Sequence, residues 1–286
     1  MGVEPGLATA IADATGSAAV AARPLADGHT GALILVTLTD GRRLVAKAAQ
    51  PGADLALEGF MLVYLAGHSA LPVPRVHVCR PDLLVMDHLP GGGGLNAAAQ
   101  AHAAELLADL HGRTVDRYGF PRDTLIGPLP QPNPESDDWI AFFRDHRLLA
   151  MARAAHAEGG LDDGLLGRIE RLTGRLDALI GEPAPPALIH GDVWGGNVLS
   201  QGGRITGFID PAIYHADPEI ELAFSTLFGT FGEPFFRRYS ELRPLRPGFF
   251  EVRRDLYNLY PLLVHVRLFG RSYLSPIERT VGRLLG

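Results

Sequence analysis

The chain has 286 residues, is 47% hydrophobic and carries a formal net charge of −6. That length and apolar share suit one large domain or two lobes. The mildly acidic balance, with no long basic run, argues against a dedicated nucleic-acid binder but leaves room for an anionic cofactor held by a few local donors. Cys79 is the only cysteine, so an intramolecular disulfide is impossible and a cysteine-based zinc site is not expected. Cys79 itself is expected to be buried and inert.

In chain order, the opening stretch MGVEPGLATAIADATG holds acidic residues and no cationic region before an apolar run, which does not read as a secretory signal. No apolar window reaches the roughly 18 residues of a membrane span, so a soluble, cytoplasmic protein without membrane contact is expected. Residues 5–15 read as a short helix. In GALILVTLTDGRRLVAKAA, two β-type runs at 32–39 and 43–48 flank Asp40-Gly41, a strong hairpin signal. ADLALEGFMLVYLAGH follows with Leu57, Met61, Tyr64 and Leu65 at helical spacing. VPRVHVC and LLVMDHL read as two more strands. The four glycines of 90–94 mark a flexible crossing. Beyond it helices are predicted over about 97–112, 135–157, 161–181, 216–228, 232–241 and 247–270. The Pro-rich run GFPRDTLIGPLPQPNPESDDW reads as a connection. The expected fold is α+β in two lobes: a small antiparallel sheet with a helix over 1–88, and a mostly helical lobe over 89–286.

One strand-bearing island interrupts the helical part: ALIHGDVWGGNVLSQGGRITGFIDPAIYHADPEIELA, residues 187–223. Apolar Leu188 and Ile189 lead into His190, Gly191 and Asp192. Asn197 follows five residues later, and the apolar run 205–209 delivers Asp210. Taken singly, each polar residue reads as turn chemistry. As a set they fit phosphoryl transfer, in which magnesium offsets phosphate charge and an acceptor hydroxyl must be oriented. Asn197 and Asp210 supply oxygens of the kind magnesium prefers, leaving Asp192 to accept the hydroxyl proton. The first half then needs a nucleotide clamp. Lys47 lies mid-strand, and Glu58 on the following helix can pair with it and aim the ammonium at phosphates. Gly28, Thr30 and Gly31 lie one hairpin earlier, where backbone can close over phosphates, although a plain turn explains them equally well. Backbone near Asp87 to Leu89 would meet the adenine edge. No Walker-type glycine loop occurs.

LIHGDVWGGNV, GFIDPAIYHADPEIELAFSTLFGTF, the Pro-rich run continuing into WIAFFRDHRLLAMARAA, and LYNLYPLLVHVRLFGRSYL together resemble the fructosamine kinase family, the ketosamine 3-kinases. The resemblance covers about residues 5–285. It implies a protein-kinase-like fold that uses ATP and magnesium to phosphorylate the 3-hydroxyl of a ketosamine, a sugar joined to an amine, in deglycation. Mapped by motif, Asp192 is the implied base, Asn197 and Asp210 the metal ligands, and Lys47 with Glu58 the phosphate-side pair. Asp217 matches an aspartate that braces the catalytic loop; from its sequence it is equally a helix N-cap.

Trp194, on the turn after Asp192, suits stacking on a sugar. His265 keeps a family position on the substrate side but equally lies on an amphipathic helix face, and His190 reads as a packed support of the loop. Trp139, Tyr214, Phe228 and Phe231 read as core aromatics. The chain departs from the family pattern at Glu221, where Asp is usual, and at Pro261, Val264, Arg267 and Arg271. A protonated amine would be repelled by either arginine, so both are expected to point away from it. The alternatives are an aminoglycoside or amino-sugar phosphotransferase with the same machinery, and a nucleotide-binding module without turnover.

Overall fold

In the computed structural model, which describes residues 3–28, 31–49 and 54–286, the chain opens with α1 (Pro5–Thr15). The Glu4 carboxylate accepts from the Gly6 and Leu7 N–H groups, and Pro5 sits in the first turn, where its missing donor costs nothing. Then come β1 (Ala19–Gly28), β2 (Gly31–Leu38), β3 (Arg43–Ala49), α2 (Leu55–His68), β4 (Val76–Cys79) and β5 (Leu83–Asp87). The five strands form one antiparallel sheet in the order β1-β2-β3-β5-β4. The hairpin around Asp40-Gly41 and the two later strands match the sequence reading. β1 does not. Its alanines and Pro24 give weak strand signal, and Pro24 is tolerated because β1 lies at the sheet edge, beside a register shift.

One sheet face packs on α1 through Ile11, Val36, Leu38 and Val85. The other face packs on α2 through Leu35, Val45, Leu55 and Leu62. α2 also turns Met61 and Leu65 into the large core of the helical part, so one helix ties the two halves together. The four-glycine crossing is not loose. The Gly93 N–H donates to Ser200 O at 2.9 Å, and a Cβ on Gly93 would fall 2.8 Å from that oxygen. Gly93 thus serves the close approach of two backbones, while a Cβ on Gly92 or Gly94 would meet open space.

The helical part runs α3 (Ala97–His111), β6 (Thr124–Ile126), β7 (Leu129–Gln131), α4 (Trp139–Phe143), a π-helical turn (Arg144–Leu149), α5 (Ala150–Ala157), α6 (Asp163–Thr173) and α7 (Leu176–Ile180). It continues with β8 (Ala187–Ile189), β9 (Val198–Gln201), β10 (Arg204–Phe208), β11 (Tyr214–Ala216), α8 (Glu219–Leu227) and α9 (Glu233–Leu242). A second π-helical turn (Phe249–Arg253) leads to α10 (Arg254–Tyr257), α11 (Leu259–Phe269), a 3₁₀ turn (Arg271–Tyr273) and α12 (Leu274–Leu285). The helix expected from 135 begins at Trp139, because the Asp138 side chain caps it by accepting from the Ala141 N–H at 3.0 Å. α12 was not expected. Pro276 hid it, yet proline is harmless in a first turn, and Ile277, Val281 and Leu284 bury one face. The Pro-rich connection contains the small β6–β7 ladder.

Trp139, Tyr214 and Phe231 are core, as expected, but Phe228 is 42% exposed. Cys79 is also exposed, at the end of the other edge strand, β4. Its sulfur nevertheless packs against Gly59, and partial burial, with Asp54 nearby, pushes the thiol pKa up. Among the described residues no helix is long and apolar enough to cross a membrane.

Candidate active site

The island of residues 187–223 folds as two separate ladders, not one hairpin. β8 pairs with β11, and β9 with β10. β8 and β11, short and distant in sequence, leave no local signal, whereas β9 and β10 meet across a two-residue turn at Gly202-Gly203. The β8–β11 ladder ends where His190 O accepts from the Ala212 N–H at 2.8 Å. There the chain must turn at Gly191, whose φ is +87° and where a Cβ would lie 2.1 Å from Ala212 O. Only glycine fits that position. The turn presents Asp192.

Asp192 Oδ2 accepts from Asn197 Nδ2 at 2.8 Å, and the same amide nitrogen donates to Asp192 O at 3.0 Å. With its NH2 engaged there, Oδ1 is the Asn197 side-chain atom that could take a metal. The Ile209 N–H donates to Asn197 O at 3.0 Å, which couples Asn197 to the strand that delivers Asp210. Asp210 has φ +51°, the one positive φ of a non-glycine among the described residues. Backbone held in that region is a common companion of function.

From the sheet, Lys47 projects out of the middle of β3 and donates to Glu58 Oε2 at 2.7 Å. Its Nζ lies 3.4 Å from Asp210 Oδ1. The predicted clamp pair and the predicted metal ligand thus meet. Burial works to lower the Lys47 pKa, but the charges of Asp210 and Glu58 outweigh it and hold the ammonium above its ordinary value. Burial, then the charge of Asp210, raises Glu58 to about 7 against the pull of Lys47. Burial, again followed by Asp210, raises Asp192 to about 8. Glu58 Oε1 is buried with no hydrogen-bond partner. Glu58 and Asp210 therefore share one ammonium, and Asp192 has an amide, not a cation, against its carboxyl. That deficit of positive charge, with one carboxylate and one amide oxygen as donors, fits magnesium, which takes few protein oxygens and completes its shell with phosphate and water.

The other expected residues divide. His190 is fully buried, which lowers its pKa, and its Nδ1 accepts from the Asp192 N–H at 3.3 Å. This contact sets its ring against the backbone of Asp192. Asp217 is buried and caps α8 through the Glu219 N–H at 3.0 Å, but its other partners are Ala184 N, Tyr257 OH and Arg246. The side chain that reaches the catalytic loop is Glu221, one turn further along α8. Its Oε1 accepts from the Gly191 N–H at 2.6 Å, its Oε2 meets His111 Nε2 at 2.8 Å, and His111 Nδ1 meets Tyr239 OH at 2.8 Å. The bracing role expected of Asp217 falls geometrically to Glu221. The departure from Asp at position 221 was the available signal, while His111 and Tyr239 gave none.

At the crossing, the Asp87 N–H is spent on Arg75 O at 2.9 Å and the His88 N–H on Arg43 O at 3.1 Å. The Asp87 carboxylate holds His77 Nε2 at 2.7 Å. An adenine would therefore meet Asp87 only through its carbonyl. The Leu89 side chain lies against β10 where Gly207 leaves room for it. Gly28 and Gly31 face each other at the ends of β1 and β2; Thr30 lies outside the described residues.

On the far side of Asp192 a cavity opens, lined by Asp192, Glu221, Tyr214, Phe224, Tyr260, Pro261, Val264 and His265 among others. His265 Nδ1 bonds Pro261 O at 2.7 Å, and its ring lies 4.9 Å from that of Phe228. Trp194 is 38% exposed with its indole 6.2 Å from Phe228, edge to face. Arg267 turns to Glu158, with nitrogen–oxygen distances of 3.0 and 2.6 Å, and Arg271 to Gly159 O at 3.4 Å. Both arginines point away from the cavity, as expected.

Set beside known proteins, residues 53–286 match the family model described as fructosamine kinase. A probable ketoamine kinase of Synechocystis sp. is 34% identical over 248 residues, 83% of this chain and 80% of that protein. A chloroplastic protein-ribulosamine 3-kinase of Arabidopsis thaliana is 34% identical over 197 residues, 67% of this chain but only 58% of its own length. Among solved structures, a putative fructosamine-3-kinase from Thermobifida fusca superposes with a TM-score of 0.89 at 33% identity, covering 99% of both chains. An aminoglycoside phosphotransferase, solved as a ternary complex with AMP-PNP and hygromycin B, gives a TM-score of 0.66 at 19% identity over 98% of this chain and 97% of its own. That last likeness speaks for the fold alone.

Proposed function

The chain belongs to the fructosamine kinase family, and we propose that it transfers the γ-phosphoryl group of ATP to a sugar hydroxyl of a ketosamine, at O3, in the repair of glycated amines. The observation that carries this reading is the 3.4 Å approach of Lys47 to Asp210. It joins a phosphate-clamping pair on the sheet to an Asp–Asn–Asp set on the helical part, with a cavity opening beside Asp192. In this reading residues 1–88 clamp the nucleotide and residues 89–286 carry the acceptor site.

Asn197 Oδ1 and the Asp210 carboxylate would hold Mg2+, which supplies charge compensation for the phosphates. Lys47, fixed by Glu58, holds phosphate oxygens. Asp192 accepts the proton of the acceptor hydroxyl as its oxygen bonds to phosphorus and the bond to the ADP oxygen breaks. Desolvation makes Asp192 a stronger base than an exposed carboxylate. Trp194 offers its face to the sugar. The test is a parallel screen of ATP consumption against ketosamines, free sugars and aminoglycosides, with phosphorus NMR to locate the ester. Turnover of ketosamines at O3 is expected. Turnover of an aminoglycoside with none of any ketosamine would overturn the assignment.

A further inference from the structure

The cavity beside Asp192 bears on which ketosamine is taken, an inference that rests on the reading above. The charged groups that line it, Asp192 and Glu221, are both carboxylates, and Glu221 is committed to Gly191 and His111 through its two oxygens. Apart from these and His265, the walls are built from side chains such as Phe224, Tyr260 and Val264. The Tyr260 hydroxyl faces away, bonded to Gln131 Oε1 at 2.8 Å. His265 keeps Nδ1 on Pro261 O within its own helix. Among the described residues no arginine or lysine lines the space, and Arg267 and Arg271 are turned to Glu158 and Gly159.

With a sugar hydroxyl at Asp192, a ketosamine has two ends to offer such a space. The polyol end carries hydroxyls that each need a partner, and these walls would leave them unpaired. The amine substituent needs no partners if it is apolar, and it gains by leaving water. The ammonium between the two ends meets a wall that offers carboxyl groups and no cation. A carboxylate on the substituent would be buried beside two carboxyl groups with no cation to match it. We propose that this cavity takes the N-substituent of the ketosamine, that it favours an uncharged aliphatic or aromatic substituent, and that it rejects one bearing a carboxylate.

The test uses the full chain with ATP and magnesium on ketosamines made from n-butylamine, benzylamine and β-alanine. The butyl and β-alanine compounds are close in shape and differ in the carboxylate. The expected result is a kcat/KM at least about tenfold higher for the butyl and benzyl compounds, the scale on which apolar pockets discriminate, with the difference residing in KM. Val264→Ala enlarges the wall with little risk to folding and should shift preference toward benzyl while leaving the KM for ATP unchanged. Equal or better turnover of the β-alanine compound, or a butyl-to-benzyl ratio untouched by Val264→Ala, would overturn the cavity assignment and leave the kinase reading standing. Failure of every ketosamine would overturn both.

Discussion

Glu221 holds the Gly191 N–H at 2.6 Å with one carboxylate oxygen and His111 Nε2 at 2.8 Å with the other. The loop that presents Asp192 is therefore pinned from beneath by a buried chain, Gly191–Glu221–His111–Tyr239. Glu221→Ala would leave a buried N–H and a buried imidazole without their acceptor, at a cost of about 1–3 kcal/mol for each group left unpaired. Denaturant unfolding should show the loss, and kcat should fall more than ATP affinity. In Glu221→Gln the amide oxygen still accepts from Gly191, and the NH2 meets His111 once its neutral ring takes the other tautomer. That variant should retain most of the stability and activity; equal damage from both substitutions would show that the charge, not the bonding, matters.

Asp192→Asn keeps a side-chain oxygen for the Asn197 amide but cannot take a proton. ATP affinity measured by calorimetry should be unchanged, and kcat should fall by about two to four orders of magnitude, the usual scale for a general base. Parallel loss of ATP binding and rate would assign Asp192 to the metal or to the scaffold.

Asp210→Asn acts at the opposite end of the site. It removes the carboxylate that faces both Lys47 and the inferred metal position, so magnesium-dependent ATP binding should weaken. A magnesium titration that overlays the wild-type curve would remove Asp210 from the metal site.

Trp194 is partly exposed and packs on Phe228, whose ring in turn lies 4.9 Å from that of His265 in the cavity wall. Trp194→Ala should raise the KM for the acceptor several-fold more than the KM for ATP. A change confined to the ATP KM would place the indole on the nucleotide side.

The sequence exposed the parts of this protein whose signals are local. Asp40-Gly41 between apolar runs announces a hairpin, and the order His190-Gly191-Asp192, Asn197, Asp210 announces a phosphotransfer set because each residue flanks an apolar strand-like run. Features that depend on distant partners were hidden. β8 has three residues and finds β11 across 24 residues of intervening chain. Glu221 lies in a short helix that is buried all round over residues 219–225, and only the fold brings His111 to it, 110 positions away. β1 was obscured by weak propensity at a sheet edge, and α12 by Pro276, which a first helical turn accepts. Asp217 was credited with the loop contact because capping and bracing look alike in sequence; in space they fall to residues one turn apart.

Arg147 supplies the last prediction. It is fully buried in the π-helical turn and donates to Pro132 O at 2.7 Å, to His146 O at 2.9 Å and to Asn133 Oδ1. Its guanidinium lies 4.0 Å from the Tyr214 ring centroid, 4.7 Å from that of Phe142 and 5.6 Å from that of Tyr260. Carbonyls and ring faces, not a carboxylate, compensate its charge. Arg147→Lys keeps the charge in the same buried place but loses the planar stack and part of the fork of donors. With hydrogen bonds to a charged group at about 1.5–3 kcal/mol each, a loss on the order of 3 kcal/mol is expected. Arg147→Met strands the same acceptors yet carries no charge into the core, and a well-packed apolar replacement of a buried ion is often tolerated. The methionine variant should therefore be the more stable of the two in urea unfolding. Because Tyr214 and Tyr260 also wall the cavity beside Asp192, both variants should raise the KM for the ketosamine while sparing the KM for ATP. A lysine variant as stable as wild type would show that the charge alone, without the stacking, suffices to hold those walls.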